Sequence, residues 1–419
     1  MVSRSRHYDI VIAGGGLCGA SLACALINSG KRILVVESVA FDATTQTTYD
    51  ERTVALTFSS RNVFSALGLW EQMEQGGVQP IRDIHVSNQG GFGQTHLSCC
   101  DSGTEALGYV IRVRNIGSVL LDVLDQSEEI EFLCPASVIN ARTDQANCQI
   151  EVVHGSKIMS VTAQLLVVAD GGRSHLAEKL GYVVNIKSYH QSAILCMIQT
   201  DQPHQGRAYE RFLPEGPVAL LPHHIGTRVG QFASEACHFA VVWTTNNSQV
   251  NQRLSLNNKE FVDLLQSTFG DRAGSFSDAS TRKSYPLSRF RVDRPALKQS
   301  VLLGNSAHTV HPVAGQGFNL GLRDVACLAQ LIVESGFALG STEMAQEYVR
   351  LRKRDAWAVE SFTHTLIQVF SNSVAPASWA RNAGLLAIEF CPFAKKILLN
   401  RTMGLNAIPQ KLTSSIPFH

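Results

Sequence analysis

The sequence predicts an α/β fold: a parallel sheet covered on both faces, an inserted and mainly antiparallel β domain, and C-terminal helices. Three observations carry this expectation. Short continuous apolar runs, Asp9-Ile10-Val11-Ile12-Ala13, Ile33-Leu34-Val35-Val36 and Leu165-Leu166-Val167-Val168-Ala169, suit strands of a parallel sheet that see no water on either face. Residues 181–284 alternate instead, as in Phe239-Ala240-Val241-Val242-Trp243, which is the pattern of antiparallel strands. From about Gly317 onward the chain reads as helix.

The first strand pattern runs into a tight turn, Gly14 to Gly19, and then a helix from Ala20 to Asn28 with apolar Leu22, Ala23, Leu26 and Ile27, stopped by Gly30. Ile33 to Val36 completes one βαβ unit. From residue 73 to 106 the periodicity weakens and Gly, Gln and Ser accumulate, the signature of an insertion. Gly108-Tyr109-Val110-Ile111 and a helical stretch through Val119-Leu120-Leu121-Val123-Leu124 follow, and Val301-Leu302-Leu303-Gly304 returns to the core-strand style. Leu386, Phe390, Phe393 and Ile397 fall near one helical face, which Pro392 must kink or break.

At 419 residues the chain is long enough for two or three closely packed units. Its 45% hydrophobic and 17% charged residues exclude intrinsic disorder. Thirty-six Lys and Arg against thirty-five Asp and Glu exclude the bulk positive field of a nucleic-acid binder. The ten cysteines are scattered without C-x-x-C pairs or metal-ligand spacing, so no metal site is expected. The N-terminus reaches a strand pattern within ten residues, leaving no room for a signal peptide, and a cytoplasmic protein with reduced thiols is expected. No apolar stretch reaches eighteen residues, which excludes an ordinary spanning helix and leaves peripheral membrane contact open.

Gly14, Gly16 and Gly19 satisfy G-x-G-x-x-G between a strand and a helix, the Rossmann-like dinucleotide fingerprint. The first glycine permits the sharp turn, the second lets the main chain approach a pyrophosphate, and the third lets helix and sheet pack closely. Glu37 ends the second strand 23 residues after Gly14, where a carboxylate can accept hydrogen bonds from ribose hydroxyls. A 2′-phosphate would be repelled there, so FAD or NAD is indicated over NADP. No second glycine fingerprint follows a strand, so a nicotinamide partner has no nucleotide domain of its own.

Two further segments narrow the choice: Val168-Ala169-Asp170-Gly171-Gly172-Arg173-Ser174, and the long run from Leu303-Gly304-Asn305 through Thr309-Val310-His311-Pro312-Val313-Ala314-Gly315-Gln316-Gly317-Phe318-Asn319-Leu320-Gly321. The second places an amide after a buried strand, then a proline turn, then glycines opening a helix, whose N-terminus can stabilise negative charge on the N1/C2=O edge of a reduced flavin. With these segments, and with Asp50-Glu51-Arg52-Thr53-Val54-Ala55-Leu56 and Phe212-Leu213-Pro214-Glu215-Gly216-Pro217, the chain resembles the class A flavoprotein aromatic hydroxylases, the p-hydroxybenzoate hydroxylase family, in its ubiquinone-biosynthesis branch.

The resemblance implies an FAD-binding domain of residues 1–72, 107–180 and 285–360, a substrate-binding domain of 73–106 and 181–284, and a C-terminal helical region of 361–419. It implies that Gly14, Gly16, Gly19 and Glu37 hold the ADP half of FAD, and that Arg52 and Arg114 reach the pyrophosphate or ribityl region. Asp170 and Gly171 would serve FAD and NAD(P)H. Asn305, where most of the family has Asp, would meet a ribityl hydroxyl, and Pro312, Gly315, Gly317 and Asn319 would line the isoalloxazine. The implied reaction is hydroxylation of a polyprenylated phenol such as a prenylated methoxyphenol. NADH or NADPH acts as transient reductant, and O2 is activated as a C4a-hydroperoxide. A phenol reacts better as its phenolate, so a base is useful, and His311 beside Pro312 is nominated. Pro222 and Trp243 are candidate wall residues. The implied setting is cytoplasmic, peripheral to the inner membrane, with a ubiquinone-biosynthesis multienzyme complex as partner. Other readings stay open: a different aromatic hydroxylase of that pathway, a flavin reductase of isoprenoid double bonds, or a non-catalytic prenyl-binding protein on the same fold.

Overall fold

The computed structural model describes residues 6–39, 52–144, 147–172, 175–224, 237–371 and 375–418. Asp50, Glu51, Arg173 and Ser174, which contribute to the resemblance, lie outside them.

The α/β expectation holds. The apolar runs form a sheet in the spatial order Ala296–Leu297, Ser300–Leu302, Lys157–Val168, Arg6–Ala13, Ile33–Val36, Ile130–Leu133. Along this row every pairing is parallel except that of Ala296–Leu297 with Ser300–Leu302; off it, Cys148–His154 pairs antiparallel with Lys157–Val168 and with Ala136–Thr143. Both faces are covered, as continuous apolar strands require. Ile10 and Ile12 pack with the helices Leu17–Ala25, Val113–Gln126 and Gln316–Glu334, while Val11 and Ala13 pack on the antiparallel strands Ala136–Thr143 and Cys148–His154.

The first helix begins at Leu17, earlier than the expected Ala20, because Gly16 serves as its N-cap and the third glycine of the fingerprint lies inside the helix. It ends before Asn28 and Gly30, both at positive φ (64° and 66°).

The alternating segment forms the centre of a nine-stranded sheet. Lys283–Val292, Val184–Thr200, His238–Asn246, Val218–His223 and Arg207–Phe212 lie side by side and antiparallel. Asp83–Asn88 then joins parallel to Arg207–Phe212, with Gln94–Ser98 at the edge. Residues 83–98 therefore belong to this sheet although they precede it by a hundred residues. Residues 78–81 of the same weakly patterned segment instead join a small sheet with Thr53–Thr57 and Gly108–Arg112. One face of the large sheet is sealed by the helix Asn258–Phe269, whose Phe261, Leu265 and Phe269 pack on Phe239, Val241 and Trp243. The other face is free to roof a site.

The C-terminal region is helical: Thr342–Ser371, Ala375–Phe390 and Pro392–Thr402. Pro392 breaks the helix, and it starts the next one at the position where a missing N–H costs nothing. No helix among the described residues is long and apolar enough to cross a membrane.

Candidate active site

A cavity of about 1420 Å³ lies between the parallel sheet, the free face of the large sheet and the C-terminal helices. That exceeds the ~300–1,000 Å³ usual for one small ligand, so there is room for a cofactor and a substrate together. Of the residues singled out from the sequence, Gly14, Gly16, Glu37, Arg52, Asp170, Gly171, Asn305, Pro312, Gly315 and Gly317 line it. Five separate stretches of chain thus converge on one space.

The glycine turn has the shape its three roles need. Gly14 has φ 111°, and a Cβ there would sit 2.5 Å from the carbonyl oxygen of Ala169. A Cβ on Gly19 would lie 1.9 Å from the carbonyl oxygen of Gly14, so the third glycine is what lets the helix close on the turn. Gly16 differs: nothing lies within 4 Å of an added Cβ. Its Cβ direction is open because the cavity is there. The Glu37 carboxylate accepts from the Gly15 N–H (2.7 Å) and the Val39 N–H (2.8 Å), which fixes it at the rim of the turn.

Two helix N-termini open on the cavity, Leu17–Ala25 after Gly16 and Gln316–Glu334 after Gly315, and neither is capped by a side chain or carries an acidic residue in its first turn. Their N-terminal N–H groups and dipoles make two anion-stabilising ends. Gly315 (φ 60°) makes the left-handed bend before the second helix.

Asn319 is buried and does not line the cavity; it works through the turn. Its Oδ1 accepts from the Thr57 N–H (2.8 Å), and its Nδ2 donates to the carbonyls of Ala55 and Gly315 (both 2.7 Å), tying the Thr53–Thr57 strand to the bend. Ser306, unnoticed in the sequence, joins two of the glycine segments. Its hydroxyl donates to Asp170 Oδ1 (2.8 Å) and accepts from the Gly171 N–H (3.0 Å). Asp324 anchors the 304–308 turn by accepting from the Gly304 N–H (3.3 Å), and it pairs with His308 and Arg352 at 2.6 Å each. Burial alone would raise the Asp324 carboxyl, but His308 and Arg352 outweigh it and hold the group low.

Arg52 lies over the Tyr285 ring (5.2 Å) on the cavity wall. Arg114 sits exposed on the first turn of Val113–Gln126, outside the lining. His311 is 1% exposed and also outside the lining. Burial lowers its imidazole to about 4, and the Val313 N–H donates to its Nδ1 (3.3 Å). Trp243 is 0% exposed in the core beneath the sheet, and Pro222 is buried outside the lining. By strand alternation their neighbours Val242 and Leu221 form the wall instead. A group absent from the sequence reading does line the cavity: Glu210, whose carboxyl burial pushes up to about 8.

The cradle therefore fits FAD: a pyrophosphate approach at Gly16, a carboxylate at the end of the second strand, and a second bare helix end across the same space. A nucleotide cradle of this kind, opening under an apolar sheet, is what an FAD-dependent monooxygenase requires. The chain belongs to the FAD binding domain family, whose model matches residues 7–363. It is 32% identical to the ubiquinone hydroxylase UbiL of Rhodospirillum rubrum over 99% of this chain and 94% of that one. It is 27% identical to the 3-demethoxyubiquinol 3-hydroxylase of Escherichia coli, over 95% and 98%. Its fold matches that of p-nitrophenol 4-monooxygenase PnpA from Pseudomonas putida with a TM-score of 0.78 at 17% identity, covering 96% of this chain and all of that one. FAD is the cofactor.

Proposed function

We propose that the protein hydroxylates a polyprenylated phenol, of the 2-octaprenyl-6-methoxyphenol kind, in ubiquinone biosynthesis. The observation that carries this reading is the apolar extension of the cavity. Beyond the cradle it continues between Ile81, Ile84, Leu97 and Leu107 on one side and Leu385, Ile388 and Leu398 of the C-terminal helices on the other. A compact phenol would leave that annex to water, whereas an isoprenoid tail fills it at a gain of roughly 25 cal/mol per Å² of apolar surface buried.

The reduced flavin, charged by NADH or NADPH, supplies oxygen activation. The chain's own residues do the rest. Gly14, Gly16 and the first helix end hold the pyrophosphate, Glu37 accepts from the ribose, and Arg52 and Asn305 face the region between adenylate and ring. Pro312, Gly315 and Gly317 set the second helix end against the ring edge. The sheet face and the annex exclude water from the reacting ring. Ubiquinone-hydroxylase relatives spanning nearly the whole chain support the pathway.

Peripheral contact with the inner membrane belongs to the same reading. Phe390 and Phe393 are 80% and 76% exposed and flank the helix break next to the annex-lining Ile388 and Leu398. A multienzyme complex of the pathway is the further partner expected. The test is oxygen consumption by the purified holoenzyme with NADH or NADPH and 2-farnesyl-6-methoxyphenol, with mass spectrometry of the product. Uptake matched by a product heavier by one oxygen supports the reading. Uptake matched only by hydrogen peroxide would move the substrate to another phenol of the pathway, such as the 2-octaprenylphenol class. A protein that binds no FAD would favour a non-catalytic prenyl binder.

A further inference from the structure

The large sheet presents one continuous row of side chains to the cavity. Residues directly opposite one another in register are Leu195, Val242, Ala219, Glu210, Val86 and Thr95, and all six line the space. Directly paired residues share a face of the sheet, so these form a stripe across five consecutive strand pairings. Thr95 spends its hydroxyl on the carbonyl of Leu385 (2.7 Å). Glu210 alone in the stripe offers an unspent polar group: among the described residues its side chain has no hydrogen-bond or ion-pair partner.

We propose that Glu210 is the catalytic group that receives the phenolic hydroxyl of the substrate, accepting its hydrogen bond and then its proton. The inference rests on the hydroxylase reading above and adds the residue that orients the ring.

The physical argument is one of cost. Leucine at this position would complete the apolar wall, whereas an unpaired carboxyl under a sheet pays desolvation with no return from the protein itself. The group that repays it must come from the ligand. A phenol brings one strong donor, and the stripe supplies one acceptor for it. Burial is the sole influence moving the Glu210 carboxyl up to about 8, so it titrates near the pH at which a proton acceptor is most useful. The direct neighbours Val86 and Ala219, and Ala208 and Phe212 along the strand, carry no charge. Arg207 and Arg211 alternate to the opposite face. Cys18, Glu37, Arg52, Asp170 and Tyr285 line the cavity on other elements.

The step balances among the ring, the side chain and the activated dioxygen that a bound reduced flavin would supply. The phenolic O–H bond breaks and its proton rests on the carboxylate, while its electron pair enters the ring and the ring carbon bonds to oxygen as the O–O bond breaks. The leaving oxygen takes the proton that the ring carbon then loses on regaining aromaticity, and the phenolic oxygen takes its own proton back from Glu210.

The test compares wild type, Glu210→Leu and Glu210→Gln as holoenzymes, with 2-farnesyl-6-methoxyphenol and its O-methyl ether as probes. Flavin content and thermal unfolding check that each variant is intact. Above about pH 8, where the carboxyl is ionised, wild type should bind the phenol roughly 10- to 100-fold more tightly than the ether, the span of one hydrogen bond to a charged group. Glu210→Leu should lose that preference while keeping the tail affinity common to both probes. For wild type, kcat/KM should rise with pH and level off above about 8, and Glu210→Gln should keep part of the preference but lose this rise. A Glu210→Leu protein that still prefers the phenol, or a Glu210→Gln protein with the wild-type pH profile, overturns the assignment and leaves the hydroxylase reading standing. A wild-type holoenzyme that binds neither probe overturns both.

Discussion

Replacing Gly16 by valine separates the cofactor's needs from the protein's. Gly16 has φ −65° and ψ −178°, a conformation open to any residue, and an added Cβ meets nothing within 4 Å. The fold should therefore tolerate the change, at a cost below ~1 kcal/mol for a poorer N-cap. The new methyl groups project where the pyrophosphate must approach the helix N-terminus. Pushing it away forfeits about two charge-assisted hydrogen bonds of ~1.5–3 kcal/mol each, so FAD should bind roughly 10²- to 10⁴-fold more weakly. The assay is titration of apoprotein with FAD, followed by flavin fluorescence, beside thermal unfolding of the same apoprotein. Gly19→Ala is the contrasting control, because its Cβ would lie 1.9 Å from the Gly14 carbonyl oxygen and must disturb the fold itself. A Gly16→Val protein with wild-type FAD affinity would show that the pyrophosphate does not rest on this turn. One that unfolds like Gly19→Ala would show that the space at Gly16 belongs to packing.

Three further outcomes are expected. Glu37→Ala removes the acceptor for the Gly15 and Val39 N–H groups as well as for the ribose, so FAD affinity should fall by about ten- to hundredfold with a modest drop in Tm, and Glu37→Gln should fall less. Leu398→Trp should narrow the annex, raising KM for a long-tailed phenol far more than for a tailless one and leaving FAD titration unchanged. Asp355 is held down to about 2 because Arg352 and Arg323 outweigh the effect of burial. Its folded value lies below its unfolded one, so it contributes roughly 2 kcal/mol that is present above about pH 4 and lost as pH falls through about 2, and Asp355→Asn should flatten that part of a stability-against-pH curve.

The cofactor half of the site was legible because its chemistry is local. A turn lying so close to a neighbouring strand that a Cβ on Gly14 would sit 2.5 Å from the Ala169 carbonyl oxygen, and a helix that must close on that turn, leave glycines at fixed intervals. Asn319 shows the limit of that legibility: the motif points it at the cofactor, but it lies buried behind the lining, and its three hydrogen bonds to the Thr53–Thr57 strand and the Gly315 bend join residues more than two hundred and sixty apart or across a turn. Ser306 was hidden for the same reason, since its partner Asp170 is remote in sequence. Glu210 was harder still. Arg207, Glu210 and Arg211 put charge on both faces of one short strand, so alternation alone does not mark either face as interior. The strand's meaning appears only once the register across five pairings is known.

That register also explains how one cavity can serve two opposed electrostatic tasks. The cofactor side has two bare helix ends that stabilise negative charge. A carboxyl placed against either of them would be held low and would make a weak proton acceptor. Glu210 instead sits in the apolar stripe of the opposite sheet, where burial alone acts on it and moves it the other way. Anion stabilisation and proton acceptance are thereby assigned to different elements of the fold. It follows that Gly16→Val should weaken FAD without moving the pH profile of whatever activity remains at saturating FAD, and that Glu210→Gln should move the profile without weakening FAD. The double variant should then show the sum of the two effects in free energy; a marked departure from additivity would mean that the two walls are coupled through the bound ligands.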